Sequence, residues 1–322
     1  MANDEFEGPE LSRRHALECM VWAGTGVLWT LTGGVPTSLG LVGDAMAAEK
    51  TAAEKGAAAE KAFTFLQISD SHVGFDKAAN PDALATLQEA IGKIKAMPAK
   101  PDFMLHTGDI THLSKPGEFD NAEKVIKESG LETYYVPGEH DIIDEDRGKA
   151  YLDRYGKGTK GAGWYSFDDH GVHFVGLVNV VDLKAGGLGN LGAEQLAWLA
   201  DDLKGKADST PIVAFSHIPL WPVYEKWGWG TDDGMQALSL LKRFGSVTLL
   251  NGHIHQLMQK VEGNLTFHTA MSTAFPQPAP GTAASPGPMV VPADQLRGKL
   301  GLSSVKVERG TKPLAFIDAM LA

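Results

Sequence analysis

The sequence predicts an α/β fold built on a largely parallel sheet. Three observations carry this prediction. Short β-prone apolar runs alternate with stretches whose apolar residues recur at helical spacing, the pattern of βαβ units. The 322 residues are 43% hydrophobic and 21% charged, enough for a sizeable core. Carboxylates and histidines follow the ends of the apolar runs, where open α/β sheets place their ligands.

The elements read as follows. "FTFLQIS" at 63–69 is a strand. "NPDALATLQEAIGKIKAM" is a helix, with Leu84, Leu87, Ile91 and Ile94 on one face. "DFMLHTGD" is a strand, "KPGEFDNAEKVIKESG" a helix and "TYYVPG" a strand. "GWYSFDDHGVHFVGLVN" predicts a hairpin turning near "DDHG". "GAEQLAWLADDLKG" is a helix, "TPIVAFSH" a strand, "DDGMQALSLLKRFG" a helix and "SVTLLNGHIH" a strand running into a loop. "LMQKVEGNLTFHTA" predicts a second hairpin, turning at "GN". After Phe275 the chain becomes Pro-rich, an extended strap. Short strands around "SSVKVE" and "PLAFID" close it.

Four segments follow: a leader at 1–47, a low-complexity linker at 48–61, the main domain at 62–274, and an extension at 275–322 that packs on the domain or trails it. The leader carries "SRRHAL" with Arg13 and Arg14, a mild Gly- and Thr-rich apolar stretch, and "AMA" before Glu49. This resembles a twin-arginine export signal cleaved after Ala47. It implies the twin-arginine machinery as a partner, a periplasmic or secreted product, and no stable membrane insertion after cleavage. Cys19 is the one cysteine, so neither a disulfide framework nor a thiolate metal cluster forms within the chain. A net charge of -11 and a pI near 5.4 argue against nucleic acid or an anionic membrane as partner.

Five strand ends carry the chemistry. They supply Asp70 and His72; Asp109; Glu139, His140 and Asp141; His217; and His253 and His255. One histidine after one strand is an ordinary polar residue, but five strand ends in register point to one site. Mixed imidazole and carboxylate donors without thiolate suit Mn, Fe, Zn or Co. They are too many for one tetrahedral ion. Two ions roughly 3.5–4 Å apart, sharing a carboxylate, would use them all and clamp an in-line displacement at phosphorus.

The order D-x-H, G-D, G-x-H-D, H, G-H-x-H, from about Phe63 to about Ala274, resembles the calcineurin-like metallophosphoesterase superfamily. It is most similar to the class III cyclic nucleotide phosphodiesterases. The resemblance implies a four-layer αββα sandwich, two mixed β-sheets flanked by helices. It implies that Asp70, His72 and His255 hold one metal, that His217 and His253 hold the second, and that Asp109 bridges. His140 would contact the phosphate and protonate the leaving oxygen, with Asp141 orienting it. A hydroxide bridging the metals would attack phosphorus. Glu139 stands where the family has Asn, so the second ion would gain an anionic ligand and the centre would be less positive.

Further positions bear on substrate. His112, in "GDITH", is a candidate contact. So are Trp221 and Tyr224, in the aromatic loop "LWPVYEKWGWG" after His217. His106 and His268 read as packing histidines. The sequence thus predicts an exported phosphoester hydrolase acting on a small phosphoester. Phosphodiesters are the favoured class, 3',5'-cyclic nucleotides among them. A phosphomonoesterase, or a metal-binding protein without turnover, stays open.

Overall fold

The computed structural model describes residues 62–307 and 315–322, together with two paired strands, β1 (Trp29–Thr32) and β2 (Val35–Ser38). Arg13, Arg14, Cys19 and the 48–61 linker lie outside the described residues. The elements described below belong to the unit Glu60–Ala322. Among the described residues no helix is long and apolar enough to cross a membrane.

Two mixed sheets form the centre. The first is built around three parallel strands, β3 (Phe63–Ile68), β4 (Phe103–His106) and β5 (Glu132–Tyr135). The second runs β10 (Met258–Glu262), β11 (Leu265–Thr269), β9 (Val247–Asn251), β8 (Ile212–Phe215), β7 (Val172–Gly176), β6 (Tyr165–Asp169). Its four inner strands are parallel and its two edges antiparallel.

Alternation along the strands builds the layers. In β3, Phe65 faces the second sheet, while Leu66 and Ile68 face helices α1 (Ala83–Lys95) and α2 (Pro116–Lys127). Between the sheets, Phe65 and Phe103 stack at 5.2 Å and Phe174 meets each edge-on. On the outer face α1 buries Leu87, Ile91 and Ile94, each contributing about 1.5–3 kcal/mol. Asp82 caps α1 by accepting from Ala85 N at 2.9 Å. The second sheet is covered by α4 (Gly192–Asp202) and α5 (Gly234–Leu241) through Leu199, Leu203, Leu238 and Leu241. These are the four layers that the resemblance implies.

One element lies beyond the sequence reading. A short helix, α3 (Lys149–Tyr155), follows the Glu139 loop. At seven residues it is too brief for periodicity to mark. The segment after Phe275 packs on the domain, one of the two expected outcomes, and the two expected closing strands are present: it crosses from the second sheet to the first, where β12 (Gly301–Val307) pairs with β3 and β13 (Ala315–Met320) pairs with β12.

Candidate metal centre

The parallel strands of both sheets end at one edge, and the loops there turn sharply inward. Asp70, His72, Asp109, His253 and His255 all have positive φ, between 39° and 69°. Left-handed backbone costs a non-glycine residue on the order of 1–3 kcal/mol. Among the described residues only eight non-glycine positions adopt it, so five falling on candidate ligands mark the loops as shaped for the site. Glycines let the loops touch. A Cβ on Gly108, itself at φ +96°, would come 2.5 Å from His217 Nδ1, and one on Gly138 would overlap Asp109 Oδ1.

Two donor groups result. Asp70, His72 and His255 present atoms that all lie within 4.8 Å of one another, and so do Glu139, His217 and His253. Asp109 stands between them. Its Oδ2 is 3.4 Å from His72 Nε2 and 3.3 Å from His217 Nε2. Glu139 reaches His217 Nε2 and His253 Nδ1, each at 3.0 Å. Backbone acceptors fix the rings. His217 Nδ1 bonds the Thr107 carbonyl at 2.7 Å and His255 Nδ1 the Phe275 carbonyl at 2.5 Å, leaving each Nε2 to face the site.

The electrostatics suit cations. Burial pushes the Asp70 carboxyl up, but His255 and His217 outweigh it and hold it at about 2. Burial likewise raises Glu139, and His253 and His217 pull it well below the usual range. Burial drives His72 well below an ordinary imidazole, helped by His140 and His255, so it is a neutral donor. His217 goes the other way: Asp109 and Glu139 overcome its burial and raise it, so proton and metal compete for it. Three carboxylates and four imidazoles in one buried cleft fit two first-row divalent ions.

The sequence profile of the calcineurin-like phosphoesterase family matches residues 63–257. The chain belongs to that family. Among its relatives is a 3',5'-cyclic-nucleotide phosphodiesterase of a Nostoc species, 25% identical over 65% of this chain and 77% of the relative. A glycerophosphodiester phosphodiesterase of Enterobacter lignolyticus is 24% identical over 61% of this chain and 71% of the relative. A dimetal phosphatase of Danio rerio shares the fold, with a TM-score of 0.59 and 13% identity over 81% of this chain and 96% of that one. This calcineurin-like phosphoesterase is a metal-dependent phosphoester hydrolase.

The remaining predicted residues divide. His140 stands beside the centre. Its N–H bonds Asp109 Oδ1 at 2.9 Å, and its ring meets His72 edge-on at 4.8 Å. His112 joins it, stacking on His140 at 4.9 Å. Asp141 corrects the expectation. His140 Nδ1 bonds the His112 carbonyl at 2.7 Å, not Asp141. The Asp141 carboxylate accepts from Gly138 N, Ile110 N, Thr111 N and Thr111 Oγ1, tying two ligand loops together. Burial and the Asp109 charge outweigh these backbone donors and push it up to about 7.

Trp221 is also corrected: it packs on Phe267 at 4.6 Å, inside the core beneath the second sheet. Its apolar body is worth more buried than as a pocket wall. Tyr224 leans edge-on against Trp227, in a cluster with Trp229 and Ile254, and Ile254 separates two ligand histidines. The aromatic loop therefore buttresses the ligand loop from behind. His106 packs as expected, bonded to Ser71 Oγ at 2.9 Å, with burial lowering it to about 3. His268 is buried and pairs with Asp318 at 3.2 Å.

The sequence analysis named the strap after β11 but gave it no part in the site. Ser272 Oγ donates to the Asp70 carbonyl at 2.7 Å, the Phe275 ring lies 4.7 Å from that of His72, and Gln277 Nε2 donates to the His253 carbonyl at 3.0 Å. The signal was present. β11 runs parallel to β9, so "MSTAFPQ" after it is a further strand end on the same edge.

Proposed function

We propose that the chain is an exported phosphodiesterase whose seven donor residues hold two divalent ions, Mn, Fe or Zn. Asp70, His72 and His255 would hold one, Glu139, His217 and His253 the other, and Asp109 both. When bound, such ions set positive charge against the phosphate and lower the pKa of water enough to supply a nucleophile near neutral pH. The observation that carries the reading is the pair of three-residue donor groups sharing Asp109, with His140 at their side.

The protein's own groups do the rest. With Nδ1 bonded to the His112 carbonyl, His140 has Nε2 left for the substrate. Without metal, the Asp109 and Glu139 charges outweigh burial and raise the His140 pKa; its free Nε2 is the atom that would pass a proton to the leaving oxygen. Glu139 adds a negative charge beside the phosphate position. That penalises a dianionic monoester more than a monoanionic diester. The names of the relatives, cyclic nucleotide and glycerophosphodiester phosphodiesterases, support a diester too. Export rests on the Arg13–Arg14 pair and the "AMA" site of the leader.

The test compares bis(4-nitrophenyl) phosphate with 4-nitrophenyl phosphate on Mn-reconstituted protein, with and without EDTA. Faster diester hydrolysis, abolished by EDTA, is expected. Faster monoester hydrolysis would make this a phosphomonoesterase. No turnover by a fully loaded protein would leave a metal-binding protein.

A further inference from the structure

The loops carrying His112 and His140 are stapled together. Ser114 Oγ donates to the His140 carbonyl at 2.7 Å and accepts from Ile143 N at 3.1 Å. Ser114 itself sits at φ 54°, a conformation its surroundings must hold. On either side of this staple stand two exposed apolar side chains, Leu113 at 43% and Ile143 at 56% exposure. Single exposed aliphatics are ordinary on any surface. Here the two flank one hydroxyl, Leu113 preceding Ser114 and Ile143 donating its N–H to it, on loops that the Asp141 carboxylate and a Leu113 N to Glu118 Oε2 bond of 2.8 Å also pin. Neighbouring Ile142 turns inward, against Trp164, Val178 and Ile218. The local core is therefore served without Ile143, and folding does not require Leu113 and Ile143 to face water.

Their position relative to the chemistry gives them a use. Leu113 directly follows His112, whose ring stacks on His140 and receives Phe75 edge-on at 5.1 Å. Beside the stacked His112 and His140 rings, the chain thus places exposed Leu113 next to His112, and exposed Ile143 on the segment that Ser114 ties to His140. We propose that Leu113 and Ile143 form an apolar subsite for the ester group on the His140 side of the phosphate, so that the preferred substrates are phosphodiesters of aryl or alkyl alcohols. The proposal rests on the phosphodiesterase reading above. Apolar surface is the element such a ligand can desolvate without losing hydrogen bonds, and a monoanionic diester brings only one charge to a cleft that already holds Glu139.

The experiment uses the metal-loaded full chain with methyl phenyl phosphate and methyl 4-butylphenyl phosphate. The two phenols have nearly equal acidity, so the chemistry is matched and only apolar surface differs. A kcat/KM ratio of about tenfold in favour of the butylphenyl ester is expected, falling toward one in Leu113→Ser/Ile143→Ser. A ratio near one in the unmodified protein, or an undiminished ratio in the double variant, overturns the subsite. If neither ester is hydrolysed, the phosphodiesterase reading fails, and the intact esters become binding probes. Their Kd ratio by calorimetry then decides the subsite by the same two criteria.

Discussion

Gly138→Ala should damage this protein, although alanine is comfortable with the backbone there. Gly138 lies at φ -95° and ψ 175°, open to any residue. By conformational entropy alone the change would stabilise by about 0.4–1 kcal/mol. Sterics reverse the sign. The new methyl would overlap Asp109 Oδ1 and the Asp109 backbone nitrogen, both fixed, so the loops must part. Parting them breaks His140 N to Asp109 Oδ1 (2.9 Å) and Gly138 N to Asp141 Oδ2 (3.0 Å), two bonds to carboxylates worth about 1.5–3 kcal/mol each. Partial relaxation leaves a net loss of about 3–5 kcal/mol, a Tm fall of roughly 10 °C for a domain of this size. Because Asp109 serves both donor groups, metal affinity should fall with it. Gly92→Ala is the control. It lies inside α1 with nothing within 4 Å of the added carbon, and should raise Tm by roughly 2–4 °C. Scanning calorimetry, with metal in fixed excess and again in EDTA, reads both. A Gly138→Ala protein within about 2 °C of the parent, with unchanged metal affinity, would refute the close-packing argument.

His140→Ala should lower kcat by about 10²–10⁴-fold with metal content unchanged, and least for nitrophenolate esters, whose leaving group needs no proton; loss of metal instead would make His140 a ligand. Glu139→Ala should loosen one of two ions in a titration followed by elemental analysis. Glu139→Asn should keep both and shift the balance between mono- and diesters, and two tightly held ions in Glu139→Ala would remove that residue from the ligand set. Replacing Arg13 and Arg14 together by Lys should retain the protein in the cytoplasm on cell fractionation, and normal delivery would count against the export signal.

Period and strand ends made most of the fold legible. Leu87, Ile91 and Ile94 mark α1 because a core-facing helix must repeat its apolar face, and every candidate ligand except Glu139 follows a run of buried strand residues. What stayed hidden depends on the third dimension. Neighbouring Glu139, His140 and Asp141 look equivalent along the chain, yet their side chains go to His217 and His253, to the His112 carbonyl, and to the nitrogens of Ile110 and Gly138. Nothing in "GEHD" encodes which way each one turns. Trp221 misled because an aromatic loop after a ligand strand serves a pocket or a core equally well until its partner, Phe267, is known.

The strap after β11 also sets an order of events during synthesis. Asp70 is made early, but Ser272, which holds its carbonyl, comes 202 residues later, and the edge of β3 is covered only when β12 arrives. Until then the Asp70 loop lacks its Ser272 partner and β3 keeps one unpaired edge. Closure of such distant contacts is the slow part of folding. The shape of the Asp70 loop therefore depends on segments made more than 200 residues after it. Truncations at the far terminus should consequently be read as defects in metal acquisition, even though they remove no ligand.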